Sequence, residues 1–147
     1  MSGNISARPA SQMGGLQTSP TIALGERLAM IGGRALVAML FIVAGIAKIM
    51  HAGPYLEHMT RFDVPTVLLP AVIALELGAG LALLFGWRVR DAAGLLAVFC
   101  VMTATIFHHQ LWISAELTSF FKDLAIAGGL FAMAANASAL DRVRNSA

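Results

Sequence analysis

Four long apolar runs, separated by short polar stretches, organise the chain. The clearest is Thr66–Gly86, TVLLPAVIALELGAGLALLFG, where Glu76 is the lone ionisable residue and lies near the midpoint. A run of this length matches the ~20 residues a helix needs to cross the hydrocarbon core of a bilayer. The other runs cover about 28–50, 92–112 and 120–140. The connections are too short for anything but antiparallel neighbours: WRVRD (87–91) is a tight charged turn, and ISAELTS (113–119) is a brief polar loop. The pattern predicts an all-α fold, an integral-membrane four-helix bundle running up-down-up-down.

Outside the spans, residues 1–27 read as a tail. Met1–Thr21 is rich in Ser, Gly, Pro and Ala, without periodicity, which predicts disorder. This stretch lacks the apolar core of a signal peptide, so the first span is expected to insert uncleaved. Residues 141–147 form a second short tail. In the connection His51–Pro65, Pro54 suits the first turn of a short helix. Tyr55, Met59 and Phe62 then share one side of it, as in a helix lying at the membrane surface.

Composition sharpens the class. The chain is 58% hydrophobic and 12% charged, with a mean hydropathy of +0.76. Soluble domains carry about a quarter charged residues, so the whole of 28–140 is one membrane domain with no room for a soluble catalytic unit. The net charge of +2 lies largely at span ends and is a topology signal, not a nucleic-acid footprint. Arg8, Arg27, Arg88, Arg90, Arg142 and Arg144 fall on the side of the termini; Lys48, Arg61 and Lys122 fall on the other. That excess predicts termini in the cytoplasm. The lone cysteine, Cys100, excludes an intramolecular disulfide or a CxxC redox pair, and its apolar flanks suit packing.

Glu76 is the first candidate for chemistry, because a carboxylate at span centre costs about 2.5–3.5 kcal/mol on the translocon scale. Arg34 lies within the first span. With the spans laid flush, Arg34 is closer in depth to Glu76 than Lys48 is, and a guanidinium suits a buried carboxylate. The expectation is an Arg34–Glu76 interhelical pair. It either fixes helix register alone or lines a polar cavity for protons or a quinone-like ligand. Sevenfold spacing puts Arg34, Phe41 and Lys48 on one helix face, and Lys122, Gly129 and Asn136 on another; both stripes are expected to turn inward. Small residues are expected at helix contacts: Ala74, Gly78 and Ala82 on one face of the second span with Ala79 and Gly80 beside Glu76 on the other, and Ala125, Gly128, Ala132 and Ala135 in the fourth.

A second polar cluster is expected at the outer end: Lys48, His108, His109, Lys122 and Asp123, with His51, Glu57 and His58 in the adjoining loop. Interfacial anchoring explains it, with lysines reaching to the headgroups and Asp123 near a helix start. Adjacent histidines diverge by about 100° on a helix, and no HxxxH or HxxE spacing is present, so no metal site is predicted. Haem between spans would need histidines on facing helices, and only the third span carries any.

Taken together, LFIVAGIAKI, ALELGAGLALLFGW, ATIFHH and FFKDLAIAGGL, in this order and spacing, resemble the DoxX family of small bacterial four-helix membrane proteins. The resemblance covers about 34–135. It implies association with membrane redox chemistry. One branch resembles subunits of thiosulfate:quinone oxidoreductase, and others are linked to complexes with a sulfurtransferase and a superoxide dismutase. It supplies no catalytic residue set, so Arg34, Glu76 and the outer cluster stand on position and chemistry. The expected role is a subunit or scaffold of a redox or oxidative-stress complex in the bacterial inner membrane. A quinone would be its ligand and an oxidoreductase its partner, with no cofactor supplied by the chain itself and a homodimer as a further expectation. The alternatives are a proton-coupled carrier working as an oligomer, or an enzyme reducing quinone with a small sulfur donor.

Overall fold

The computed structural model describes residues 20–107 and 114–145, with side chains described over 24–107 and 115–138. Five helices follow in order: α1 (Pro20–Met50), α2 (Ala52–Arg61), α3 (Leu69–Phe85), α4 (Val89–Phe107) and α5 (Ser114–Asn145), with a 3-10 turn at Thr66–Leu68 before α3. Four of them carry stretches long and apolar enough to cross a membrane: Leu24–Met50, Thr66–Phe85, Val89–Phe107 and Ala115–Ser138. The fold is the four-helix membrane bundle that the pattern predicts.

The chain divides into two compact units, Met1–Ile31 and Gly32–Ala147. In the first, helix α1 already starts at Pro20, so residues 20–27 are helical and not tail. Proline is at home in the first turn, where its missing N–H leaves no bond unmade. Here Leu24, Leu28, Met30 and Ile31 are exposed. Residues 1–19 lie outside the described part of the chain. The second unit holds the bundle. Its core joins Ala38 and Phe41 of α1, Ala79 and Leu83 of α3, five residues of α4 from Ala92 to Cys100, and Ala127 and Leu130 of α5. Many of the outward side chains are large and apolar, such as Leu36, Val67 and Phe85, which suits lipid and not water.

Helix ends follow local chemistry. Gly86 closes α3 at φ 74, with Gly86 N–H donating to Leu83 and Trp87 N–H to Ala82. That is a Schellman closure, which asks for glycine. Helix α5 starts at Ser114 and not near Phe120, so most of the stretch read as a loop is its first turn. Glu116 lies there, where the helix dipole favours a carboxylate.

Small residues set the approach of α1 to α3. A Cβ on Gly45 would stand 2.8 Å from Leu77, and one on Gly80 would stand 3.0 Å from Ile42 and 3.3 Å from the Ala38 carbonyl oxygen. The fourth span departs from expectation. Ala125, Gly128, Ala132 and Ala135 are exposed, as are Gly129 and Asn136 of the predicted inward stripe. Helix α5 instead turns Ala127 and Leu130 to the core, with Ile126 and Met133 beside them. Leu130, Ile126 and Met133 supply volume on that face, and the small Ala127 lies among them. In α3 the expected face of Ala79 and Gly80 is buried, whereas Ala74 and Gly78 of the other expected face are exposed.

Candidate functional site

Glu76 does not meet Arg34. The Lys48 ammonium donates to both of its carboxylate oxygens at 2.8 Å. Both side chains are largely buried, at 14% exposure for Lys48 and 4% for Glu76. The reason is the axial offset of the two helices. A flush alignment of Met50 with Thr66 puts Glu76 opposite Leu40, but Gly45 is the residue packed against Glu76 and Leu77. The shift is about five residues, or 7.5 Å at the helix rise. It brings Lys48, one turn beyond Gly45, level with the carboxylate. It also carries Arg34 to the far end of α3, where its guanidinium lies within 3.2–3.4 Å of a Cβ built on Gly86. There it faces the C-terminal, electronegative end of the helix dipole.

The Lys48–Glu76 pair forms part of the wall of a partly open cavity of about 640 Å³. Leu75, Met59, Phe99 and Ile126 are among its many apolar walls, and Tyr55, His58, Cys100, Thr103, Lys122 and Asp123 add polar groups. Leu40, Leu68, Met102 and Ile106 line it and are themselves exposed, so it reaches the apolar outside of the bundle. Cavities of roughly 300–1,000 Å³ with apolar walls and a few placed polar groups are the usual form of a small-molecule site.

Helix α2 closes one side. Its buried face presents Met59, and Lys48 Nζ lies 5.0 Å from the Tyr55 ring centroid, within reach of a cation–π contact. Beyond it, His58 stacks on Phe107 at 4.9 Å and meets Phe62 at 5.0 Å, while Phe62 meets Phe107 edge-on at 5.4 Å. This aromatic triad ties α2 to the end of α4. On the opposite wall Thr103 donates to the carbonyls of Phe99 and Cys100.

Of the expected outer cluster, the fold brings Lys48, Lys122 and Asp123 to this one cavity, together with Glu76. His108 and His109 lie outside the described residues. Glu57 is engaged with Arg61 on the exposed side of α2, at 3.7 Å. Among the described residues no three His, Cys, Asp or Glu side chains gather as a metal site would require. Tyr55 and Met59, expected only to face the membrane surface, also line the cavity, and their shared face on an amphipathic helix is the sequence signal for it. Thr103 and Cys100 carried no such signal, because burial in a span gives every residue the same apolar context.

Comparison with known proteins places this geometry in context. The DoxX family model matches residues 29–109. The chain is 37% identical over 123 residues to the inner membrane protein YqjF of Escherichia coli strain K12, covering 82% of this chain and 95% of that one. It is 29% identical over 109 residues to the inner membrane protein YphA of the same organism, covering 69% of this chain and 77% of that one. No solved structure matches the chain.

Proposed function

The chain belongs to the DoxX family, and from that premise we propose that it is the membrane subunit of a redox-linked complex in the bacterial inner membrane. Its cavity would take the head of a quinone. The observation that carries the reading is the buried Lys48–Glu76 pair in the wall of a largely apolar cavity. A flat, lipid-soluble ring with carbonyl oxygens asks for hydrocarbon walls, one or two donors, and an entrance from the bilayer. An ammonium has three N–H donors. Glu76 engages two, which leaves one to donate to a ligand carbonyl. Tyr55 and Lys122 supply further donors at the cavity wall. Glu76 holds the Lys48 ammonium aimed, so a carbonyl oxygen gaining negative charge meets a fixed donor. The electrons would come from a partner oxidoreductase, docked at whichever face the cavity addresses. The names of these relatives, both inner membrane proteins, support an inner-membrane location, and the excess of arginine on the side of the termini supports both ends in the cytoplasm.

The test is purification from native membranes in mild detergent, with extracted quinones and co-purifying proteins both measured by mass spectrometry. The expected result is a stoichiometric quinone that is lost in Lys48→Met/Glu76→Leu, a variant that keeps the fold. A pure protein that carries only bulk lipid and binds no added quinone overturns the reading, and the proton-coupled carrier then becomes the one to assay.

A further inference from the structure

Toward the other end of the bundle α3 and α4 leave a second hollow, of about 360 Å³, which shares only Leu75 with the wall of the Lys48–Glu76 cavity. Four alanines line it, among them Ala79 and Ala92, which are buried; Leu95 and Trp87 flank them, and Arg88 and Asp91 stand at one end. The alanine methyls leave this hollow unfilled, and in the bilayer an apolar chain can lie along them. Trp87 is 68% exposed, at the turn where tryptophans sit at headgroup level.

The charge at that turn is one-sided. Arg34 lies against Gly86, and Arg88 and Arg90 are exposed. The one carboxylate in the turn is Asp91, which accepts from Arg88 Nε at 2.8 Å and from Nη2 at 2.6 Å. A guanidinium has five N–H donors, so Arg88 Nη1 stays available. Arg88 also holds φ 46, a conformation that L side chains seldom adopt. An occupant therefore needs an apolar length for the alanine floor and an anionic end for the arginines. A second copy meeting this groove across a two-fold axis would oppose the two arginine-bearing turns, which repel.

We propose that the α3–α4 groove is a binding site for an anionic glycerophospholipid, with one acyl chain along Ala79 and Ala92 and the phosphate held by Arg88 at its end, Arg90 adding positive charge at the same turn. Guanidinium is the natural partner for a phosphodiester. The site would seat the protein in its leaflet independently of whatever the Lys48–Glu76 cavity binds.

Trp87 is the reporter, once Trp112, the other of the two tryptophans, is replaced by Phe. The protein is reconstituted in phosphatidylcholine vesicles carrying a minor fraction of phosphatidylglycerol with brominated acyl chains, which quench tryptophan on contact. The expected result is quenching well above that of random mixing, and no such excess with brominated phosphatidylethanolamine. Arg90→Gln, which leaves the Arg88–Asp91 pair intact, should weaken the preference about fivefold, the scale for one basic residue at an anionic surface. Arg88→Gln/Arg90→Gln should abolish it, and Ala82→Leu should lower quenching by filling the groove. Quenching no greater than random mixing, or an excess that survives loss of both arginines, overturns the proposal. So does a dimer that shields Trp87 from brominated chains of either lipid, which would give the groove to a second copy.

Discussion

Lys48 and Glu76 lie 28 positions apart in sequence, and the ammonium of one meets both carboxylate oxygens of the other at 2.8 Å. One is near the end of α1 and the other midway along α3, so the contact fixes how far one helix is slid along the other. Removing either partner leaves a nearly buried charge alone, at a cost of about 3–5 kcal/mol. Glu76→Ala and Lys48→Ala are each expected to aggregate in detergent at a markedly lower temperature than the parent, as read by size exclusion after heating. Lys48→Met/Glu76→Leu should recover most of the loss, since an apolar pair of similar volume replaces the ions. If Glu76→Ala melts like the parent, the pair does not hold the helices.

Arg34 should behave differently. Its guanidinium faces the C-terminal end of α3 at Gly86, so Arg34→Ala should cost only about 0.3–1 kcal/mol, the worth of a cation at a helix C-terminus. It should leave ligand affinity at the Lys48–Glu76 cavity unchanged. Gly86→Ala is expected to cost more, about 1–2 kcal/mol, because its φ of 74 disfavours any Cβ. Melting temperatures of the two variants, with a titration of bound quinone analogue, check the difference. A loss of affinity in Arg34→Ala equal to that in Lys48→Ala would return Arg34 to the site.

The spans were legible because apolar runs of bilayer length have few other meanings; Thr66–Gly86 and the 3-10 turn plus α3 differ by a single residue at the end. Glu76 was legible for the same reason, since one carboxylate in such a run stands out. Its partner was not. Choosing between Arg34 and Lys48 needed the axial offset of α1 against α3, which close packing of Gly45 and Gly80 sets. No count of residues from a span end contains that offset. The face of α5 was not legible for a related reason. Small residues permit close approach but do not compel it, and the face carrying Leu130, Ile126 and Met133 as well as Ala127 is the one that packs.

The aromatic triad of His58, Phe62 and Phe107 should govern how firmly α2 covers the cavity. Aromatic pairs contribute about 0.5–1.5 kcal/mol beyond their buried area, and His58 makes two such contacts. His58→Ala should therefore speed amide hydrogen exchange across 52–61 by about five- to 150-fold, while leaving α3 and α4 as protected as in the parent. His58→Phe should restore the protection. Exchange unchanged in His58→Ala would mean that Met59 and the Tyr55–Lys48 contact hold α2 without the triad.

Gly45 offers the sharpest test of the packing that sets the pair. A Cβ there would stand 2.8 Å from both Cγ and Cδ2 of Leu77, and 3.5 Å from the Glu76 Cβ. The first obstacle is a side chain that can turn away, so Gly45→Ala should cost about 1–3 kcal/mol through overpacking and not abolish folding. Leu77→Ala removes the obstacle, and the two changes should therefore couple: Gly45→Ala/Leu77→Ala should be more stable than the sum of its single effects predicts, by about 0.5–3 kcal/mol. Gly45→Ile brings branches that Leu77 cannot clear, so α1 must move away from α3 and lengthen the Lys48–Glu76 contact. That variant should lose both stability and quinone affinity, and the loss should not be made good by Leu77→Ala. Thermal melts of the four proteins in one detergent decide the matter. Strict additivity of the Gly45 and Leu77 effects would show that the close approach is not what positions Lys48.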